Sequence, residues 1–106
     1  MVTAKVVKKN NKYYSFICSG HAGFARSGRD IVCSAISMLT LNCANSIMAL
    51  TTSEIDAEEK DGFVSWIFNG NVDDKATLLM DSLLIGLKSI IEEYGNKYLT
   101  LKIEEV

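Results

Sequence analysis

The stretch Glu54-Ile55-Asp56-Ala57-Glu58-Glu59-Lys60-Asp61-Gly62-Phe63-Val64-Ser65-Trp66-Ile67-Phe68 decides the fold. Lys60-Asp61-Gly62 is a turn signal between two β-compatible runs, Glu54 to Glu59 and Phe63 to Phe68, which predicts a hairpin. The start of the chain repeats the arrangement. Val2 to Val7 is β-rich, Lys8-Lys9-Asn10-Asn11-Lys12 is polar and turn-prone, and Tyr13 to Cys18 is β-rich again, with Tyr14, Phe16 and Cys18 expected on one face. A helix follows each hairpin. The first is capped by Asp30 or Ser27 and runs to about Leu50. The second is capped by Asp73 or Asp74, repeats Leu79, Leu83, Leu87, Ile90 and Tyr94 at helical spacing, and ends at Gly95. Tyr98 to Glu104 alternates Leu99, Leu101 and Ile103 with Thr100, Lys102 and Glu104, as a half-buried final strand does. The order ββαββαβ predicts an α+β fold of two layers, a mostly antiparallel sheet with two helices packed on it, in a single domain over residues 1–106.

Composition narrows the function classes. With 106 residues, 48% of them hydrophobic, and no proline, the chain is expected to bury one core. A net charge of -2, from 11 basic and 13 acidic residues mixed along the chain, leaves no generic nucleic-acid footprint. Three cysteines without paired spacing, and an N-terminus lacking a signal-peptide apolar core, point to a reducing compartment, the cytoplasm. Ile31 to Leu50 carries no charge and as a helix is long enough to cross a bilayer. Its Ser34, Ser37, Thr40, Asn42, Asn45 and Ser46 argue instead for a soluble helix buried on most sides, with no membrane partner. A domain of this size cannot surround such a helix alone, so a second copy is expected to cover part of it, as in a homodimer.

Chemistry concentrates in Ser19-Gly20-His21-Ala22-Gly23 and Gly28-Arg29-Asp30-Ile31-Val32-Cys33-Ser34-Ala35, where the only histidine precedes Cys33 by twelve residues. The thiolate is the nucleophilic form of cysteine, and a helix start, nearby arginines (Arg26 and Arg29) and an imidazole all favour it. Cys33 as nucleophile and His21 as base satisfy these needs. Asp30, Cys33 and Ser37 share one helix face, first-turn N–H groups are placed to hold an oxyanion, and Asp30 either orients His21 or only caps. A carboxylate beside Cys33 opposes thiolate formation unless it is turned towards His21 or bonded to helix N–H groups. The segment from Gly20 to Gly28, with three glycines, His21, Phe24 and Arg26, is expected to be a mobile loop.

Plainer readings stand beside each of these. Free cysteine usually packs as a small hydrophobe, the expectation for Cys18 and Cys43. Ser37 is compatible with a bond back to a carbonyl one turn earlier, Lys8 to Lys12 with a solvated hairpin tip, and Trp66 with Phe63 and Phe68 with core or dimer contact. Cys18 and His21 have C-x-x-H spacing and Cys33 is a conceivable third zinc ligand. The lone histidine and the lack of a second ligand pair make that case thin, so no metal is expected. Nor is a cofactor expected, since no Walker A loop, dinucleotide fingerprint or G-x-S-x-G elbow occurs.

The run Gly20-His21-Ala22-Gly23, then Gly28, Asp30, Val32-Cys33-Ser34-Ala35 and Ser37, resembles the signature of the bacterial ribosomal-processing cysteine proteases. The alternation of strand pairs and helices along the whole chain is similar to that family's fold. The resemblance implies a homodimeric cytoplasmic cysteine endopeptidase that removes a short N-terminal extension from a large-subunit ribosomal protein during ribosome assembly. It implies His21 as base and Cys33 as nucleophile, with Gly20, Asp30 and Ser37 at positions the family associates with its site, and with it goes the expectation that Phe24 and the Gly20 to Gly28 loop close over an extended peptide. Two rivals keep the same residues: a non-catalytic dimeric ribosome-associated binding module, and a thiol redox protein in which oxidised Cys33 is resolved by another thiol, a task for which neither Cys18 nor Cys43 is obviously placed.

Overall fold

The structure, a computed structural model, describes residues 1–26 and 29–106. The elements run β1 (Val2–Lys9), β2 (Lys12–Ser19), α1 (Ile31–Leu50), β3 (Glu54–Lys60), β4 (Phe63–Asn69), α2 (Asp74–Tyr94) and β5 (Leu99–Glu105). Both turn signals make hairpins. Lys9 pairs with Lys12 around Asn10-Asn11, whose φ values of 52° and 63° asparagine tolerates. Lys60 pairs with Phe63 around Asp61-Gly62.

The sheet order is β3-β4-β2-β1-β5. Three of its four pairings are antiparallel and the fourth, β1 with β5, is parallel, so the sheet is mixed. Local turn chemistry announced the hairpins. The parallel pair depends on where α2 delivers the chain, beside β1, which no local signal encodes.

One expectation about facing is corrected. A bulge between Val7 and Lys8 leaves Tyr14 unmatched in the β1–β2 register, so Tyr13, not Tyr14, joins Phe16 and Cys18 in the buried set. The Tyr13 hydroxyl then donates to Asp81 of α2, tying sheet to helix, and desolvation with that carboxylate neighbour raises the Tyr13 pKa.

Both helices lie on the face carrying Val2, Ala4, Val6, Phe16, Trp66 and Leu99, and they close the core with Val32, Ile36, Ile47, Met80, Leu83 and Leu87. Fully burying each large side chain stabilises by about 2 kcal/mol. Trp66 and Phe16 meet with ring centroids 4.6 Å apart, so Trp66 is core. The helix α1 is long and apolar enough to cross a membrane, yet it is not buried on most sides within this chain. Val32, Ile36, Thr40, Cys43, Ala44 and Ile47 face inward, while Ile31, Met38, Met48 and Leu50 are exposed. The sheet covers one side of α1 and α2 flanks it, and among the described residues these four side chains are left exposed.

Candidate active site

Asp30 begins the site. It caps α1, with one carboxylate oxygen accepting from the Cys33 N–H at 2.8 Å and the other from the Phe24 N–H at 2.9 Å and the Ala25 N–H at 3.5 Å. Burial alone pushes this carboxyl up. The N–H groups of Cys33, Phe24, Ala25 and Val32 outweigh that and hold its pKa below the ordinary value. Asp30 therefore clamps the loop onto the helix start. No hydrogen bond joins it to His21 among the described residues, so the geometry favours the capping role over orientation of the imidazole. The alternative cap, Ser27, and the motif residue Gly28 lie outside the described residues.

Cys33 sits at the third position of α1, half-buried, and is the accessible thiol of the three, all of which are free. Burial, with the Cys33 charge as a smaller contribution, pushes the Cys18 thiol up to about 11, and burial pushes Cys43 up to about 12. Both behave as the packed hydrophobes expected. Cys18 nevertheless lines the same cavity as Cys33, a proximity that the sequence did not disclose.

His21 is exposed, two residues beyond β2, and the chain is pinned on both sides of it. Gly20 donates its N–H to the Gly62 carbonyl at 2.9 Å, and Ala22 is buried in the core. Gly20 holds φ +103°, and a Cβ there would collide with the Met1 carbonyl oxygen. No other residue fits that close approach.

Two cavities meet at Cys33. One, of about 450 Å³, lies between the end of β2, α1 and the β3–β4 turn, with Val2, Ile36, Leu41, Phe63 and Val64 in its wall. The other, of about 520 Å³, lies against the loop, with Ala25, Asp30, Ser34 and Met38 in its wall. His21, Cys33, Ser37 and Asp61 line both. The fold thus sets His21, Cys33 and Ser37 at both cavities, with Gly20 in the wall of the first and Asp30 in that of the second, and adds Asp61, which the sequence marked only as a turn residue.

Three expectations change. Phe24 lines neither cavity, because its ring packs edge-on against Tyr94 and Tyr98, with centroids 5.5 and 5.2 Å away, and anchors the loop. Arg26 and Arg29 are exposed and also line neither cavity. At the helix start the Cys33 N–H is engaged by the Asp30 carboxylate and the Ser34 N–H by the Asp30 carbonyl at 3.0 Å, so these two are not free to hold an oxyanion. Ser37 does not bond back along the helix. Its carbonyl accepts from the Thr40 hydroxyl at 3.1 Å, while its own hydroxyl makes no bond among the described residues. Among those residues no three His, Cys, Asp or Glu side chains form a group that could hold a metal ion.

The chain that carries this thiol and imidazole is similar in sequence and fold to known proteins. The sequence profile of the family described as cysteine protease Prp matches residues 1–99. The ribosomal processing cysteine protease Prp of Bacillus subtilis is 29% identical over 101 residues, covering 89% of this chain and 90% of that protein. Its counterpart in Staphylococcus aureus is 30% identical over 98 residues, covering 90% of this chain and 92% of that protein. A crystal structure of an essential ribosomal processing protease Prp from S. aureus, in complex with a covalently linked product peptide, superposes with a TM-score of 0.90 at 28% identity, covering 98% of this chain and all of that one.

Proposed function

Since this chain belongs to the family of the cysteine protease Prp, and is a cysteine protease of the ribosomal-processing kind, we propose that it removes a short N-terminal extension from a large-subunit ribosomal protein during ribosome assembly, with Cys33 and His21 as its catalytic dyad. The observation that carries the reading is the junction of two clefts at these two side chains. An endopeptidase must seat peptide on both sides of the scissile bond, and two clefts that meet at the nucleophile offer room for that.

In the proposed reaction His21 takes the Cys33 thiol proton, and the sulfur attacks the scissile carbonyl. His21 then returns the proton to the leaving amine, and water releases the acyl group from Cys33. Ser37, one turn beyond Cys33 on the same face, is the side-chain donor open to the developing oxyanion. The Val2, Ile36, Leu41, Phe63 and Val64 wall suits an apolar side chain of the peptide.

The deciding experiment incubates the protein, and separately Cys33→Ala, with a ribosomal large-subunit protein bearing its N-terminal extension and reads intact mass. Release of a defined N-terminal peptide by the wild type, with turnover by Cys33→Ala lower by at least about 1,000-fold, is the expected result. Equal cleavage by both would remove Cys33 from the mechanism.

The protein is further proposed to work in the cytoplasm, where its three free thiols stay reduced, and as a homodimer. Exposed Ile31, Met38, Met48 and Leu50 on α1, with Leu78 and Ile85 on α2, support a second copy covering the helical layer. Analytical ultracentrifugation at micromolar concentration should give a dimer, and a monodisperse monomer would overturn that assignment.

A further inference from the structure

The β3–β4 turn does more than close a hairpin. Gly62 accepts the Gly20 N–H at 2.9 Å, which fixes the turn beside the residue preceding His21. A Cβ built on Gly62 would stand 2.8 Å from His21 Nε2, 3.1 Å from Cε1 and 3.4 Å from Cδ2, and these imidazole atoms are its three nearest neighbours. The ring therefore occupies space that any side-chain-bearing residue at position 62 would claim.

Backbone conformation does not by itself require glycine there. Gly62 has φ +69°, and Asn11, the second residue of the other two-residue turn, holds φ +63° with a side chain. Asparagine adopts this region at low cost. The difference between the turns is what each meets, since only the second has an imidazole against it. Gly70, at φ +79°, has nothing within 4 Å of its built Cβ and supplies a control with the same backbone demand and no neighbour.

We propose that Gly62 is a positioning residue for the reaction: its bare Cα is the surface against which the His21 imidazole is held in line with Cys33. This rests on the reading of His21 as the base. A ring displaced by about 1 Å loses alignment for proton transfer, so the loss appears in kcat; Gly62 also lines the first cleft, so the imidazole signals and not KM discriminate the positioning role.

The test compares wild type, Gly62→Asn, Gly70→Asn and His21→Ala on the ribosomal protein bearing its extension, together with proton NMR of the imidazole. His21 is the only histidine, so its two ring C–H signals are unambiguous. Gly62→Asn should lower kcat roughly 100-fold and shift the ring signals, while Gly70→Asn changes neither. Wild-type kcat in Gly62→Asn, with His21→Ala inactive, would sink the positioning role and leave the dyad standing. Equal losses in Gly62→Asn and Gly70→Asn would assign the effect to backbone strain and also sink it. Full activity in His21→Ala would overturn the base reading, and the positioning role with it. Should Gly62→Asn fail to fold, nuclear Overhauser contacts in the wild type between the imidazole protons and the Gly62 α-protons decide the matter. Their presence is expected, and their absence would reject the proposal.

Discussion

At the start of α1 the Asp30 carboxylate accepts from the N–H of Cys33, and at the start of α2 the Asp73 carboxylate accepts from the N–H of Ala76, both at 2.8 Å and both at the third helical position. The backbone repeats the match, since Ser34 N–H bonds to the Asp30 carbonyl and Thr77 N–H to the Asp73 carbonyl, each at 3.0 Å. What differs is everything the cap is attached to. Residues 70–73 join β4 to α2, and Ala76 is fully buried. Residues 20–30 join β2 to α1, and they carry His21 past a half-buried Cys33. The spare oxygen of Asp73 takes the Thr52 N–H and hydroxyl at 3.0 and 2.8 Å, bracing scaffold against scaffold. The spare oxygen of Asp30 takes Phe24 and Ala25, bracing scaffold against the loop that carries His21. One capping device thus joins scaffold to scaffold in the second ββα unit and scaffold to the candidate site in the first.

Exchanging the caps should break the symmetry most sharply. Asp30→Ala is expected to lower the melting temperature by about 5 °C and turnover by roughly 100-fold, because the loop that carries His21 is released along with the helix end. Asp73→Ala should cost a similar few degrees, read by thermal unfolding, and leave turnover within about twofold. Equal turnover in the two variants would show that the Asp30 clamp does not matter to the reaction.

A smaller effect is expected from the other loop anchor. Phe24→Ala removes the edge-on contacts with Tyr94 and Tyr98, each worth about 1 kcal/mol, and should raise KM several-fold with kcat little changed. Steady-state kinetics on the same substrate separates the two constants. A fall in kcat with KM constant would instead place Phe24 among the groups that align the dyad.

The smallest effect sharpens the comparison from the scaffold side. The N–H groups of Ala76 and then Thr52 bring the Asp73 pKa from 3.8 to about 2. Its folded-state pKa lies below the unfolded one, so its contribution is present above about pH 4 and is lost as pH falls from 3.8 towards 2. Asp73→Asn should therefore flatten that part of an acid-unfolding curve followed by circular dichroism. An unchanged curve would mean that exposure to solvent screens the contribution away.

Much of this was legible because it is local. Asn10-Asn11 and Asp61-Gly62 announce their turns through residue types that accept positive φ, and Asp30 and Asp73 announce helix starts through a side chain that reaches its own backbone. The family resemblance rested on the contiguous residues around His21 and Cys33, and the match of the cysteine protease Prp profile to residues 1–99 bears it out. Other features escaped for a shared reason. The Tyr14 bulge, the β1–β5 pairing, the docking of Phe24 on Tyr94 and Tyr98, and the engagement of the Cys33 N–H by Asp30 are each decided by a partner elsewhere in space.

The sequence by itself determined the ββαββαβ order, the two capped helices, and the presence of one histidine and one helix-start cysteine within reach of a short loop. Those are matters of residue type and spacing, set by backbone preferences that act over a few residues. Tertiary structure alone decided that Cys18 shares a cavity with Cys33, that His21 and Cys33 stand where two clefts join, and that a hairpin turn 41 residues beyond His21 presents a bare Cα to the imidazole. These depend on packing, in which the space left for a side chain is set by atoms remote along the chain and close in three dimensions.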